Sequence, residues 1–330
     1  MAVTATSSRR TRGAVARRLL FLFVALISVL AAVLVVRTLM FTAESGPLPP
    51  AADIQIDADK VAETLAGALR FETVTRSQAP QFDPAAFEAM HGYLREKFPL
   101  AHTRLSTETV AQHSLLFKWE GSDPSAKPIL MLAHQDVVPV ESASLEEWAH
   151  PPFSGTIADG FIWGRGALDD KQGVFGLLEA VEYLLKSGFQ PRRTVYLAFG
   201  HDEEIGGTGA QAIVALLKKR GVQLAVVVDE GGILGKGLVP NVSEWVALVG
   251  VAEKGYVSLK LTTRGAGGHS SMPPPQTAVG VMAAAITKLE SRPFPARTDA
   301  SRLFSIASAR RCPSRCGWSS PTCGCSSPSW

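Results

Sequence analysis

Eighteen consecutive positions, Leu19 to Val36, contain one polar residue, Ser28. As a helix at 1.5 Å per residue this run spans about 27 Å, close to the thickness of a bilayer core. Arg9, Arg10, Arg12, Arg17 and Arg18 precede it. The pattern predicts a basic cytoplasmic segment over 1–18, a membrane anchor over 19–36 and export of the remainder. A cleaved signal peptide, with secretion, is the alternative. Its apolar region is usually about 7–15 residues and ends in a small-x-small site, whereas Arg37-Thr-Leu-Met-Phe41 follows here. Residues 37–56 read as a linker stiffened by Gly46-Pro-Leu-Pro-Pro50.

Beyond the linker the apolar period alternates between that of helices and that of strands. Val61, Leu65, Ala68 and Leu69 predict an amphipathic helix over 57–70, and Phe87, Met90, Tyr93 and Leu94 one over 87–98. Residues 115–120 and 129–133 are short apolar runs of strand length. Val174, Leu177, Leu178, Val181, Leu184 and Leu185 form a helical stripe stopped by Gly188. A strand over 194–199, a helix carrying Ile213, Val214, Leu216 and Leu217, and a strand over 225–228 expected to be buried on both faces complete the series. Strands alternating with helices predict an α/β domain over 57–250 containing parallel pairs. From Glu253 the pattern changes: an alternating strand over 257–262, the glycine-rich turn Gly265 to Ser271 and a helix over 277–289. This reads as the start of a second, α+β domain over 251–305.

Polar clusters punctuate this body at the expected carboxyl ends of strands, where α/β sheets form their sites. His134-Gln-Asp136 follows one strand, Gly200-His-Asp-Glu-Glu204 another, and Asp229-Glu230 a third; Gly164 to Asp170 opens a helix. His134, Asp169, Glu204 and Glu230 succeed one another at intervals of 35, 35 and 26 residues, each about one βαβ step of ~30 residues. Singly, each cluster has an ordinary reading: a hydrogen-bonded pair, an N-cap at Asp169-Asp170, a solvated turn. Together those readings need four coincidences, so a shared site is preferred.

Composition narrows the chemistry. Apolar residues make up 46% of the chain and charged residues 19%, as in a globular protein with one added hydrophobic segment. A net charge of +3, with basic residues outnumbering acidic ones only towards the two ends, gives no reason to expect a nucleic-acid partner. All four cysteines (Cys312, Cys316, Cys323, Cys325) lie in the last nineteen positions, so the body holds neither disulfides nor thiolate ligands. One histidine with several carboxylates suits zinc, manganese or cobalt. Two such ions sharing a carboxylate can activate water and polarise a carbonyl. Adjacent glutamates allow one to bind metal and the other to move protons. His91, His102 and His113 lie on surface-like stretches and carry no signal.

The segments Ala133-His-Gln-Asp-Val-Val-Pro139, Trp148-Ala-His-Pro-Pro-Phe153, Gly164-Arg-Gly-Ala-Leu-Asp-Asp-Lys171, Asp202-Glu-Glu-Ile-Gly-Gly207, Asp229-Glu-Gly231 and Gly268-His-Ser-Ser271 carry a resemblance. From about Val61 to Pro295 the chain resembles the co-catalytic metallopeptidase family of aminoacylase, carboxypeptidase S, carboxypeptidase G2 and succinyl-diaminopimelate desuccinylase. The carboxypeptidase S and N-acyl-amino-acid hydrolase branch is the most similar. The resemblance implies a mixed sheet flanked by helices, of the zinc-dependent exopeptidase kind, with an inserted ferredoxin-like α+β lid that mediates dimerisation. It implies that His134 binds one of two divalent ions, most simply zinc, that Asp169 bridges both and that Glu204 binds the other. Glu230 would complete the first site, with Asp229 a rival one residue away. Glu203 would be the general base, Asp136 would hold the His134 ring, and His269 of the lid would stabilise the oxyanion. His201 would be a neighbour, not a ligand. The implied reaction is hydrolysis of a peptide or N-acyl-amino-acid amide next to a free carboxylate. An aminopeptidase or dipeptidase of the same family, and a non-catalytic anchored metal-binding protein, are the alternatives.

Two departures accompany this resemblance. The family's last ligand is a histidine downstream of the lid, and His269 is the final histidine here. After Asp299 there is no Asp, Glu or Lys, and from Ile306 no period is readable. The cysteines there could form a Cys-x3-Cys and Cys-x-Cys knuckle or sit in a disordered tail. Out-of-frame translation over 306–330 fits best, and implies an incomplete lid and a weak or inactive polypeptide as written.

Overall fold

The computed structural model describes residues 8–40, 54–77, 82–240, 242–250, 255–295 and 306–308. The tether 46–50, Glu253 and the four cysteines lie outside them. The chain divides into two units, Met1–Asp57 and Ala58–Trp330. Among its described residues the first holds the helix α1 (Ser8–Met40). Within it Arg17–Arg37 is long and apolar enough to cross a membrane, with a mean hydropathy of 3.2 over its most apolar window and its side chains exposed.

The second unit is built on a mixed five-stranded sheet. In chain order it runs α2 (Ala58–Ala68), α3 (Pro84–Lys97), α4 (Pro99–Arg104), β1 (Ser106–Val110), β2 (Ser114–Trp119), β3 (Ile129–His134), β4 (Thr156–Ala158), β5 (Phe161–Trp163), α5 (Lys171–Lys186), β6 (Val195–Gly200), α6 (Thr208–Lys219) and β7 (Val226–Val228). The hairpin β8 (Ile233–Lys236) and β9 (Trp245–Leu248) follows, then α7 (Ala278–Glu290) and β10 (Ile306–Ser308). The sheet order is β1-β2-β6-β3-β7. β3 is parallel to both β6 and β7, whereas β2 is antiparallel to β6.

Alternation along the central strands explains the layers. Leu115, Phe117 and Trp119 of β2 and Leu197 and Phe199 of β6 face one core, shared with Phe98, Phe175 and Leu178 from the helices. Leu116, Tyr196 and Ala198 face the other, against Ile213 and Leu217 of α6. A period of two in the strands thus feeds two helical layers with a period near 3.6. Asp83 caps α3, its carboxylate accepting from the Ala85 N–H, and Gly188 follows α5 with φ of +72°, a conformation glycine adopts without strain.

The structure corrects three expectations. β7 is not buried on both faces: Val226, Val227 and Val228 are each nearly half exposed. It stands at the end of the sheet, with β3 on one side and, among the described residues, no strand on the other. Residues 257–262 form no strand, because alternation alone supplies no partner edge. Ile306–Ser308, where no element was readable, pair antiparallel with β9, their backbones extending that hairpin. The helix expected over 277–289 is present as α7, and Thr277 caps it by accepting from Gly280 N–H.

Phe117 is fully buried between the helices and β6. Phe117→Ala should destabilise the full chain by about 3–5 kcal/mol. Leu168→Ala, at a residue 79% exposed, should stay within about 0.5 kcal/mol. Urea unfolding in detergent micelles measures both.

Candidate metal-binding site

The register of the parallel strands brings the site together. His134, the last residue of β3, lies opposite Gly200, the last of β6. Asp229 and Glu230 leave the end of β7, and Asp169 stands two residues before α5. All four predicted polar segments therefore converge on one sheet edge.

His134 is the centre. Its side chain is 3% exposed, and Nε2 lies 2.8 Å from an Asp169 oxygen and 3.5 Å from a Glu230 oxygen. Nδ1 lies 3.0 Å from the backbone oxygen of Asp136 and 3.3 Å from its carboxylate. His134, Asp169 and Glu230 offer ligand atoms within 4.8 Å of one another, and so do His134, Glu203 and Glu204. Glu230 rather than Asp229 joins the cluster; Asp229 instead accepts from the Glu230 N–H at 3.0 Å. Glu204 collects around His134 with Glu203 and also feels the charge of Asp169.

The adjacent residues do different work. Asp170 is buried and accepts from the N–H groups of His134 and Gly173, both at 3.2 Å, which caps α5 and ties it to β3. The Asp169–Asp170 peptide bond is cis. Asp136 is fully buried, and its carboxylate accepts from the N–H of Glu203 at 3.0 Å, the N–H of Glu204 at 3.1 Å and the Thr75 hydroxyl at 2.7 Å. It therefore touches the glutamate loop as well as the His134 ring. Asp202 takes the Thr208 and Gly209 N–H groups at the start of α6. His201 pairs with Ser114 at 2.7 Å and lies in neither ligand group. His269 pairs with Ser271 inside its own turn and also lies in neither group.

The sequence signal missed Gln135 and His91. His91 is not on the surface: it is buried, 2.6 Å from the Gln135 Oε1, and Gln135 also donates to the backbone oxygens of His113 and Phe199. His113 stacks on Phe87, and half-buried His102 is held by the Phe98 carbonyl. No sequence pattern marks the Gln135 contacts, because each partner lies 22 or more residues away.

Electrostatics follow from crowding. Burial opposes charge on the His134 ring, but Asp136 and Asp169 outweigh it and raise its pKa well above the ordinary imidazole range. Glu230 is pushed up to about 7, first by burial and then by the charge of Asp170. Asp170 is raised to about 6 by burial. Glu203 and Glu204 are raised too, by burial and by neighbouring carboxylates. Several carboxylates that resist simultaneous ionisation around one imidazole are complementary to a multivalent cation. The donor set, nitrogen and oxygen without sulfur, fits a divalent ion of the zinc, manganese or cobalt class. Beside the cluster lies an open cavity of about 880 Å³, its apolar wall formed by Leu132, Leu177, Ile233 and Leu234 and its polar wall by Asp169 and Glu230.

Comparison with known proteins gives the family. Human N-fatty-acyl-amino acid synthase/hydrolase PM20D1 is 46% identical over 235 residues, which is 71% of this chain and 46% of that protein. A probable carboxypeptidase S-like 2 of Dictyostelium discoideum is 40% identical over 290 residues, covering 84% and 56% of the two chains. Carboxypeptidase S of Saccharomyces cerevisiae is 40% identical over 243 residues, covering 70% and 42%. The chain thus spans about half the length of the curated relatives it matches. Residues 130–324 match peptidase family M20/M25/M40, and with the motifs at His134, Asp169, Glu204 and Glu230 this chain belongs to that family.

Proposed function

We propose that this protein is a metal-dependent hydrolase of amide bonds next to a free carboxylate, acting on small peptides or N-acyl amino acids. One observation carries the reading: His134, Asp169 and Glu230 present ligand atoms within 4.8 Å of one another at the carboxyl ends of parallel strands. These three residues would hold one divalent ion, and Asp169 with Glu204 would face a second. Such ions, when bound, supply Lewis acidity to a substrate carbonyl and to water.

The remaining steps belong to the chain itself. Glu203 is partly exposed and its pKa is raised by burial, so its carboxylate takes a proton from the attacking water and returns it to the leaving nitrogen. Asp136 fixes the loop on which Glu203 sits. The apolar wall of the adjacent cavity supports an acyl or side-chain group that is apolar. The names of the relatives, an N-fatty-acyl-amino acid hydrolase and carboxypeptidases, support the same class. For His269 the support is its motif, Gly268-His-Ser-Ser271, and its assigned part is oxyanion stabilisation from a lid that also dimerises. The helix around Arg17–Arg37 supports a membrane anchor with the hydrolase on the non-cytoplasmic side.

Three outcomes test this reading. In the metal-free protein at neutral pH the His134 ring is protonated, and a metal needs it neutral, so uptake must release protons. Calorimetry of zinc binding in buffers of different ionisation enthalpy should show about one proton released per chain at pH 8, from the His134 site. Near pH 6 the count should approach about two, as Glu230 becomes protonated in the free state; no release would exclude His134 as a ligand. Glu203→Gln should retain the metal and lower kcat by about 10²-fold or more, measured on N-acyl amino acids with the full chain. Alkaline carbonate washing of membranes should leave the full chain in the pellet, and deletion of residues 17–37 should release it to the supernatant.

A further inference from the structure

Between α2 and α3 the chain passes beneath the site as a short strap, residues 71–75. Lys171, fully buried at the start of α5, donates from Nζ to the backbone oxygens of Ala68 and Phe71 and ties down its entrance. Farther along, the strap pairs with the turn that follows β3. Thr75 N–H donates to the Val137 oxygen at 3.1 Å and Val137 N–H to the Thr73 oxygen at 3.0 Å, as a parallel bridge between Val74 and Val137. The Thr73 hydroxyl donates to the Gln135 oxygen at 2.7 Å.

The last contact reaches the chemistry. Thr75 is buried, and its hydroxyl donates to the Asp136 carboxylate. That carboxylate has its two oxygens divided: Oδ1 accepts from Glu203 N–H, and Oδ2 accepts from both Glu204 N–H and Thr75. A carboxylate free to turn about its last bond could satisfy either amide alone. A third donor, fixed to a strap pinned at both ends, holds it at the angle that serves both.

We propose that Thr75 is a positioning residue for the glutamate pair, setting the Asp136 carboxylate so that it orients Glu203 and Glu204 toward His134. The proposal rests on the hydrolase reading for its consequence in catalysis, but its hydrogen bonds can be tested without turnover. Without the hydroxyl, Asp136 Oδ2 keeps one donor in a site closed to water. The carboxylate that anchors the Glu203 and Glu204 amides then loses the donor that fixes its angle, while the sheet beneath is untouched.

The test compares Thr75→Val and Thr75→Ser in the full chain by amide hydrogen exchange of the peptide covering 202–206. Thr75→Val should speed exchange there about tenfold, the scale of one lost hydrogen bond to a charged group. Thr75→Ser, which keeps the hydroxyl, should match the parent, and amides of β3 and β6 should be unchanged in both. Unchanged exchange at 202–206, equal effects of Val and Ser, or acceleration spread uniformly over the sheet would each overturn the proposal. In hydrolysis assays Thr75→Val should lower kcat while KM stays within about twofold; a raised KM at constant kcat would overturn it as well. Absence of turnover in the parent chain counts against the hydrolase reading alone, because the exchange result decides the positioning.

Discussion

The parallel register of β3 against β6 is the constraint on which the site depends. It sets His134 level with Gly200 and so places the loops after both strands side by side. A slip of one residue would turn the His134 ring to the opposite face of the sheet. That register is held by the core: Leu130 and Ala198 pack on one face, and Ala133, Leu197 and Phe199 on the other. The hydrophobic alternation of two strands therefore determines where an imidazole and four carboxylates meet.

Burial of charge at such a place has to be compensated, and the acids divide by how that is done. Asp136, Asp170 and Asp202 are almost wholly buried, and each accepts at least two backbone N–H groups. Carboxylates satisfied in this way belong to the scaffold: they join β3 to the glutamate loop, β3 to α5, and the same loop to α6. Asp169, Glu203, Glu204 and Glu230 are more exposed. Among the described residues the side chains of Glu203 and Glu204 have no hydrogen-bond partner, and Asp169 and Glu230 meet only His134. These are the acids with capacity left for a cation or a proton.

Much of this was legible in the chain. The helical stripe of α5, the apolar runs of β2, β3 and β6, and the spacing of the polar clusters were readable because they arise from local periodicity. The division of labour between neighbours was not. Asp169 and Asp170 are identical in type and adjacent, yet one faces His134 and the other caps α5. That choice is made by the backbone of the helix start. His91 looked like a surface residue because its partner, Gln135, lies 44 positions away. β7 misled in the opposite direction: three valines read as a fully buried strand, but burial depends on neighbours that periodicity does not supply. The alternation over 257–262 had the same defect.

The two kinds of acid also separate the motif residues into those already satisfied and those with acceptors to spare. Asp136 and Glu203 both lie close to the His134 ring, but one has exhausted its acceptors on backbone and hydroxyl donors and the other has not. An exhausted carboxylate cannot also ligate or shuttle a proton without losing hydrogen bonds worth about 1.5–3 kcal/mol each. Capacity for a cation or a proton is thereby confined to the half-exposed rim, while the buried carboxylates keep that rim in register with the sheet. On this argument the role of an acid in the site is set by how many donors already reach it, not by its distance from His134.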